Sequence, residues 1–267
     1  MIDPFEVLAE AEDLPRWDVP ELLARLYGGA IGLDEPCVVA NFVESLDGVV
    51  AVPRLPRSHA VIGDESEADR FVLALVRACA DAVVVGSGTL LASPQGTWRT
   101  DRAYPPAAEA LAELRARRGR GEQPLVVVVT TGASLDPAHP VLESGALVLT
   151  TKRAEDGLRA SVPEATEVVA VTDGDTVDLA AALGLLRERG CPVVLTEAGP
   201  SIFGSLVASR LVDELFLTVS PVLAGRAVSA RLGLVEGVEL VPQTRVAGRL
   251  RSVRTHGSHL FLRYWLR

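Results

Sequence analysis

From Cys37 onward the chain is built of short apolar runs separated by Gly, Pro and charged turns. They fall at Cys37 to Phe42, Ala82 to Val85, Leu125 to Thr130, Ala146 to Thr150, Glu167 to Val171, Val193 to Thr196 and Glu214 to Val219. Most lack the apolar–polar alternation of a strand with one wet face, which predicts strands covered on both faces in a largely parallel sheet. Between them the spacing predicts helices. One covers Glu65 to Cys79, opened by Asp64 and Glu67 in capping-box spacing; others cover Pro106 to Arg118 and Leu179 to Arg189, the latter stopped by Gly190. Alternation appears only late, at Gln243 to Leu250 and His259 to Leu266, and predicts antiparallel strands at the C-terminal edge of the sheet. The whole pattern is that of an α/β protein, a three-layer α-β-α arrangement around a mixed, mostly parallel sheet. Residues 1–35, acidic and Pro-spaced with an amphipathic piece at Pro20 to Tyr27, are expected to be an extension packed on one domain spanning 36–267.

Composition narrows the class. With 48% hydrophobic, 23% charged and 4% aromatic residues in 267, the protein is neither disordered nor a disulfide scaffold. A net charge of −9 opposes nucleic acid, and the one dense basic run, Arg115 to Arg120, reads as a solvated helix end entering a loop. Cys37, Cys79 and Cys191 each lie in or beside apolar stretches, so they read as core residues of a reducing compartment, with no disulfide. The N-terminal segment lacks a basic n-region, and nowhere do eighteen apolar residues run together. No membrane association is expected, and the location is expected to be cytoplasmic.

The chemistry concentrates at strand ends. Val193-Val194-Leu195-Thr196 breaks into Glu197-Ala198-Gly199-Pro200-Ser201 and opens a helix, a geometry that presents backbone N–H groups to a phosphate. Asp81 to Val85 runs likewise into Gly86-Ser87-Gly88-Thr89, and two such ends suit the two halves of a dinucleotide. Leu91 stands where a third glycine would complete a Rossmann fingerprint, and no P-loop is present. His59, His139, His256 and His259 form no zinc motif, no cysteine pair stands at ligand spacing, and no metal is expected. Ser45, Ser87 and Ser201 lie outside any nucleophile elbow, which leaves redox chemistry carried by a bound cofactor.

Five ordered segments carry a resemblance: Asn41 to Gly48, Arg77 to Thr89, Glu197 to Pro200, Leu211 to Leu215 and Ser220 to Gly225. Together they resemble the reductase domain of the riboflavin-biosynthesis deaminase/reductase, a member of the dihydrofolate-reductase-like superfamily, over about residues 36 to 266. The resemblance implies NADPH-dependent reduction of a phosphoribosylamino-pyrimidine at C1 of its ring-opened sugar, giving a ribitylamino product. The zinc motif of the deaminase half is missing here, so a stand-alone reductase is expected. A same-fold reductase of another small substrate, and a non-catalytic NADP-binding relative, are the competing readings.

The resemblance also assigns roles. Gly86, Ser87, Gly88 and Thr89 match the turn that approaches the cofactor, or else simply cap a helix. Gly199, Pro200 and Ser201 match the pyrophosphate-binding helix start. Glu197 either orders the nicotinamide or substrate edge in a catalytic role or pairs with a nearby arginine. Asn41, Ser45 and Asp47 match the substrate-lining segment, although Asp47-Gly48 reads equally as an Asx turn. Ser58 and His59 match a substrate-contacting segment or a plain loop. Thr130, Thr131, Lys152 and Arg153 follow two strands and suit the 2′-phosphate that selects NADPH over NADH, or a solvated helix start. In Ala92-Ser93-Pro94-Gln95-Gly96-Thr97-Trp98-Arg99, Thr97 and Arg99 match substrate-binding positions, while Ser93 occupies the catalytic place of an Asp in relatives. Val49 likewise replaces a Lys that often follows Asp-Gly. The apolar late strands predict a homodimer.

Overall fold

The parallel strands form because their side chains pack on both faces. Val83, Val85, Val127, Val128, Val193 and Leu195 are completely or almost completely buried, and each such burial contributes about 1.5–3 kcal/mol. The computed structural model describes residues 1–53, 55–225 and 230–266. Its elements in sequence order are β1 (Glu6–Glu10), α1 (Glu21–Tyr27), β2 (Cys37–Glu44), α2 (Ser58–Ile62), α3 (Glu67–Cys79), β3 (Ala82–Gly86), α4 (Ser87–Ala92) and α5 (Thr100–Ala103). There follow α6 (Ala108–Arg117), β4 (Leu125–Val129), α7 (Pro140–Glu143), β5 (Leu147–Thr151), α8 (Lys152–Ser161) and β6 (Glu167–Thr172). Last come α9 (Leu179–Glu188), β7 (Val193–Thr196), α10 (Pro200–Ala208), β8 (Glu214–Val219), β9 (Arg249–His256) and β10 (His259–Trp265).

The described residues form one ten-stranded sheet in the order β1-β9-β10-β8-β2-β7-β3-β4-β5-β6. Strands β8 through β6 in that order run parallel, and β10, β9 and β1 complete an antiparallel edge. One apolar layer packs the sheet against α1, α3 and α6, the other against α9 and α10. This is the three-layer mixed architecture expected of the sequence, and all C-terminal ends of the parallel strands share one rim.

Three local expectations shift. The late strand occupies Arg249–His256, with 243–248 outside it. Its inward positions include Arg251 and Arg254, both buried, so charge hides the alternation that normally marks a strand. Helix α3 begins two residues late: Asp64 and Glu65 take positive φ, and Ser66 is the cap, its hydroxyl accepting from the Asp69 N–H at 3.2 Å. Nor is the basic run solvated throughout. Arg115 is 1% exposed and donates to the carbonyls of Arg77, Ala78 and Ala80 at the end of α3 and to Gly121. Arg118 and Arg120 share the Glu35 carboxylate and lie over the Trp17 ring, and Arg120 also pairs with Asp81. Carbonyls orphaned at a helix end supply the acceptors that water would otherwise provide.

Residues 1–35 are tied in by the same means. Strand β1 pairs with β9, and Arg254 donates to the Tyr27 carbonyl and to Glu10. Arg263, buried beside Glu214, donates to the Gly32 carbonyl at 2.8 Å. The three cysteines are buried and free. Desolvation pushes the Cys79 thiol up to about 12 and raises Cys37 and Cys191 as well.

Candidate functional site

The rim at the C-terminal ends of β2, β7, β3, β4 and β5 gathers most of the residues singled out by sequence. Ligands of open α/β sheets bind in such crevices. Helices α4, α8 and α10 start straight from β3, from β5 and from the turn after β7, and none has a side-chain cap. The N–H groups of their first turns therefore point toward the rim without a side-chain acceptor. A Cβ on Gly88 or Gly199 would meet open space, whereas one on Gly86 would lie 2.8 Å from Ile202 Cδ1, the flexible tip of a side chain on α10. Ser201 is exposed and Pro200 is buried at the helix start.

Next along the rim, Thr130 Oγ1 accepts from the Gly132 N–H at 3.0 Å, and Ser87 Oγ lies 2.8 Å from Ser134 Oγ. Lys152 and Arg153 are exposed but partnered, by Glu155 and Asp175 respectively. Glu155 also holds Arg159. Its hydrogen bond raises the Lys152 pKa above the usual lysine value.

The floor of the crevice is polar on the α3 side. Asn41 shares a face of β2 with Val39, one position beyond the Ala40–Thr196 pair, and so stands beside Glu197. Its Oδ1 is buried and has no hydrogen-bond partner. Such an orphaned acceptor calls for a donor from a ligand. Glu197 is gripped by Arg77 of α3 in a bidentate ion pair at 2.7 and 2.6 Å, both side chains 11% exposed. Of the two readings of Glu197, the arginine pair is therefore present. Its partner Arg77 opens the Arg77 to Thr89 segment, where nothing local marks it as a site residue. The carboxylate of Glu197 also acts on His59, opposing the burial that lowers the pKa of that imidazole.

The other substrate candidates are largely occupied by the protein itself. Ser45, 1% exposed, donates to Asp47 at 2.6 Å and accepts from the Val49 N–H. Asp47 receives the N–H groups of Ala224 and Gly225 at 2.9 and 2.8 Å, and these bonds with that from Ser45 hold its carboxyl down at about 2. Asp47 is thus a clamp between two rim loops, reinforced by Leu46 on Val222 and by the Ala51–Leu232 bridge. Ser58 is buried and accepts from Val52 N–H at 3.3 Å. Arg99 pairs with Asp101 and Glu122, which raise its pKa. Between Thr97 and Arg99 the buried Trp98 holds a φ of 51°, a strained conformation for a bulky residue that splays its neighbours. Ser93 ends α4, and its carbonyl lies 3.0 Å from His139 Nε2. Val49 is fully buried, so no side chain from that position enters the crevice.

Sequence reasoning passes over Asp69, half-buried in the first turn of α3, where it and Glu67 read as partners of the helix dipole.

Fold and rim define an α/β protein with an anion-receptive crevice over a polar floor. The chain belongs to the RibD C-terminal domain family, whose model matches residues 36–261. It is 29% identical over 192 residues to the 2,5-diamino-6-ribosylamino-4(3H)-pyrimidinone 5′-phosphate reductase of Archaeoglobus fulgidus, covering 71% of this protein and 82% of that one. With the reductase of the same name from Methanothermobacter thermautotrophicus it shares 28% over 232 residues, 86% and 97% of the two proteins. In structure it is similar to a pyrimidine reductase-like protein of Corynebacterium diphtheriae, with a TM-score of 0.70, 21% identity, and coverage of 87% of this protein and 92% of that one.

Proposed function

We propose that this protein is an NADPH-dependent reductase converting a phosphoribosylamino-pyrimidine, 5-amino-6-(5-phosphoribosylamino)uracil or its 2,5-diamino analogue, to the ribitylamino product of riboflavin biosynthesis. The observation that carries the reading is the crevice itself: uncapped starts of α4, α8 and α10 on one side and the unpartnered Asn41 Oδ1 beside the Arg77–Glu197 pair on the other. The membership of residues 36–261 in the RibD C-terminal domain family supports it.

The residues fit a dinucleotide. Gly86 to Thr89 and Gly199 to Ser201 would hold the phosphates through backbone N–H groups, and Thr130 and Lys152 would take the 2′-phosphate, Lys152 leaving Glu155 to do so. A dihydronicotinamide bound there supplies a hydride. Asn41 accepts from a ring N–H of the pyrimidine, Thr97 and Arg99 meet the sugar phosphate, and Ser45, Asp47 and Ser58 shape the wall. Arg77 fixes the orientation of Glu197. Residues 1–35 extend this one domain, and the protein works in the cytoplasm as a homodimer. No helix among the described residues is long and apolar enough to cross a membrane.

Purified protein mixed with either pyrimidine and NADPH should oxidise the cofactor and yield the ribitylamino compound by mass spectrometry. Absence of turnover with both pyrimidines refutes the assignment. Light scattering that finds only a 28.3 kDa species refutes the dimer. Ser93 in the place of an Asp, and the burial of Val49 in the place of a Lys, favour one second reading: a reductase of this fold with another small heterocycle as substrate. A large gain for Ser93→Asp on the phosphoribosylamino-pyrimidine would favour that reading over the first.

A further inference from the structure

Residues 93–99, which carry Thr97 and Arg99, join α4 to α5 and belong to neither, so their place beside the crevice depends on contacts made from outside. The far end is tied to the crevice floor. Thr100 donates through its N–H and its hydroxyl to Gln123 Oε1, at 2.9 and 3.2 Å. Arg77, which grips Glu197, reaches the Arg99 carbonyl with Nη1 at 3.5 Å. The near end is held from a different connection, by His139.

His139 precedes α7 in the connection from β4, and it is 3% exposed although residues 136–138 and 140 around it are exposed. The Val141 N–H donates to its Nδ1 at 3.2 Å, and its Nε2 lies 3.0 Å from the Ser93 carbonyl. A backbone N–H can only donate and a carbonyl can only accept, so the ring is neutral with its proton on Nε2, and both nitrogens are in use. The Ser93 carbonyl also accepts from the Gly96 N–H at 2.8 Å, so the bond from His139 lands on the turn that opens the segment.

The Trp98 indole packs in the same place, its ring centroid 5.9 Å from that of the His139 imidazole. A Cβ on Gly96 would meet Cη2 and Cζ3 of that indole at 2.7 and 2.9 Å and the Ser93 carbonyl at 3.0 Å, so the turn closes over the indole with no room for a side chain. Trp98 and His139 are buried together under the turn, while Thr97 and Arg99 stay half-exposed. Capping α7 does not by itself require a histidine. An asparagine at 139 would offer Val141 the same acceptor, whereas only a longer side chain reaches Ser93 as well.

We propose that His139 is a positioning residue for the reductase: its Nε2–H bond to Ser93 holds residues 93–99 where Thr97 and Arg99 meet the sugar phosphate. The inference rests on the reductase reading. The sugar phosphate takes no part in the bond changes, so a segment that wanders weakens the ground state and the transition state alike. The loss therefore falls on KM for the pyrimidine and not on kcat. The NADPH contacts at the starts of α4, α8 and α10 lie outside this segment.

Two substitutions separate the brace to Ser93 from the cap on α7. His139→Asn keeps an acceptor for the Val141 N–H and loses the reach to Ser93; His139→Gln keeps an N–H donor near the Nε2 position and loses the acceptor at Nδ1. With NADPH saturating, His139→Asn should raise KM for the pyrimidine roughly three- to tenfold at unchanged kcat, the effect of one lost hydrogen bond. Its NADPH affinity, read by cofactor fluorescence, should stay within about twofold of wild type. His139→Gln should keep the wild-type KM although it melts at a lower temperature than His139→Asn. Nitrogen-15 NMR of the wild type should show one neutral imidazole protonated on Nε2 that is missing from His139→Asn. A KM unchanged in His139→Asn, a KM raised equally in both variants, or a His139 ring protonated on Nδ1 overturns the proposal. A wild type inactive on both pyrimidines overturns the functional reading and this proposal together, whereas an active wild type matched by His139→Asn overturns this proposal alone.

Discussion

Replacing Arg77 by Met should destabilise the protein far more than loss of a surface charge. The guanidinium meets Glu197 through two bonds of 2.7 and 2.6 Å, and each side chain is only 11% exposed. A solvated pair would contribute up to about 1 kcal/mol. Here the change strands the Glu197 carboxylate under α3 without a counter-charge, and loss of one partner of a buried pair typically costs about 3–5 kcal/mol. For a protein of this size that corresponds to a fall of roughly 6–20 °C in Tm. Met keeps most of the aliphatic volume and helix propensity, and the carbonyl of residue 77 remains available to Arg115, so the loss isolates the charge. Adding Glu197→Leu should recover most of the stability, because two apolar side chains of similar bulk remove the stranded charge. Urea melts of the four proteins in the double-mutant cycle measure the coupling directly, with at least about 2 kcal/mol expected. If Arg77→Met costs less than about 1 kcal/mol, the pair behaves as a solvated one and the argument from burial is wrong. If the double variant is as unstable as the single one, the cost lies in packing under α3 and not in the charge.

Asp47 is the next point of leverage: its folded pKa of about 2 lies below the unfolded value, so its contribution is present above about pH 4 and vanishes as pH falls through 2. Hydrogen exchange at the Ala224 and Gly225 amides should therefore accelerate over that range and, in Asp47→Ala, at neutral pH; unchanged protection would show that the clamp is dispensable. Asp69 has the opposite sign, because its raised value favours the protonated native state below about pH 4 and that advantage is lost as pH rises through about 6. At pH 8 Asp69→Asn should then be more stable than wild type by up to about 2 kcal/mol, with the gap closing near pH 4; equal melting curves at pH 8 would contradict the burial argument. Lys152→Ala should weaken NADPH binding roughly tenfold while leaving NADH nearly unchanged, read by cofactor fluorescence; equal losses for both cofactors would remove Lys152 from the 2′-phosphate.

The sheet is legible in the sequence because strands covered on both faces leave a local mark. Ala82 to Val85, Val193 to Thr196 and Glu214 to Val219 are apolar runs with no alternation, and the structure has strands there. The turns after β3 and β7 are legible for a related reason, since small residues interrupt the apolar runs where each strand gives way to a helix. Charge carries no such local mark. Arg115 reads as part of a solvated helix end, yet it and Arg254 are both 1% exposed and bound to carbonyls brought from distant segments. Arg77 and Glu197 lie 120 residues apart in sequence and meet only because α3 packs over the end of β7. The sequence by itself determined where the strands, the turns and the rim would fall, because those follow from local periodicity and backbone sterics. The tertiary structure alone decided which charges were buried, paired or left holding a proton, because desolvation and Coulomb attraction depend on neighbours that only folding brings together.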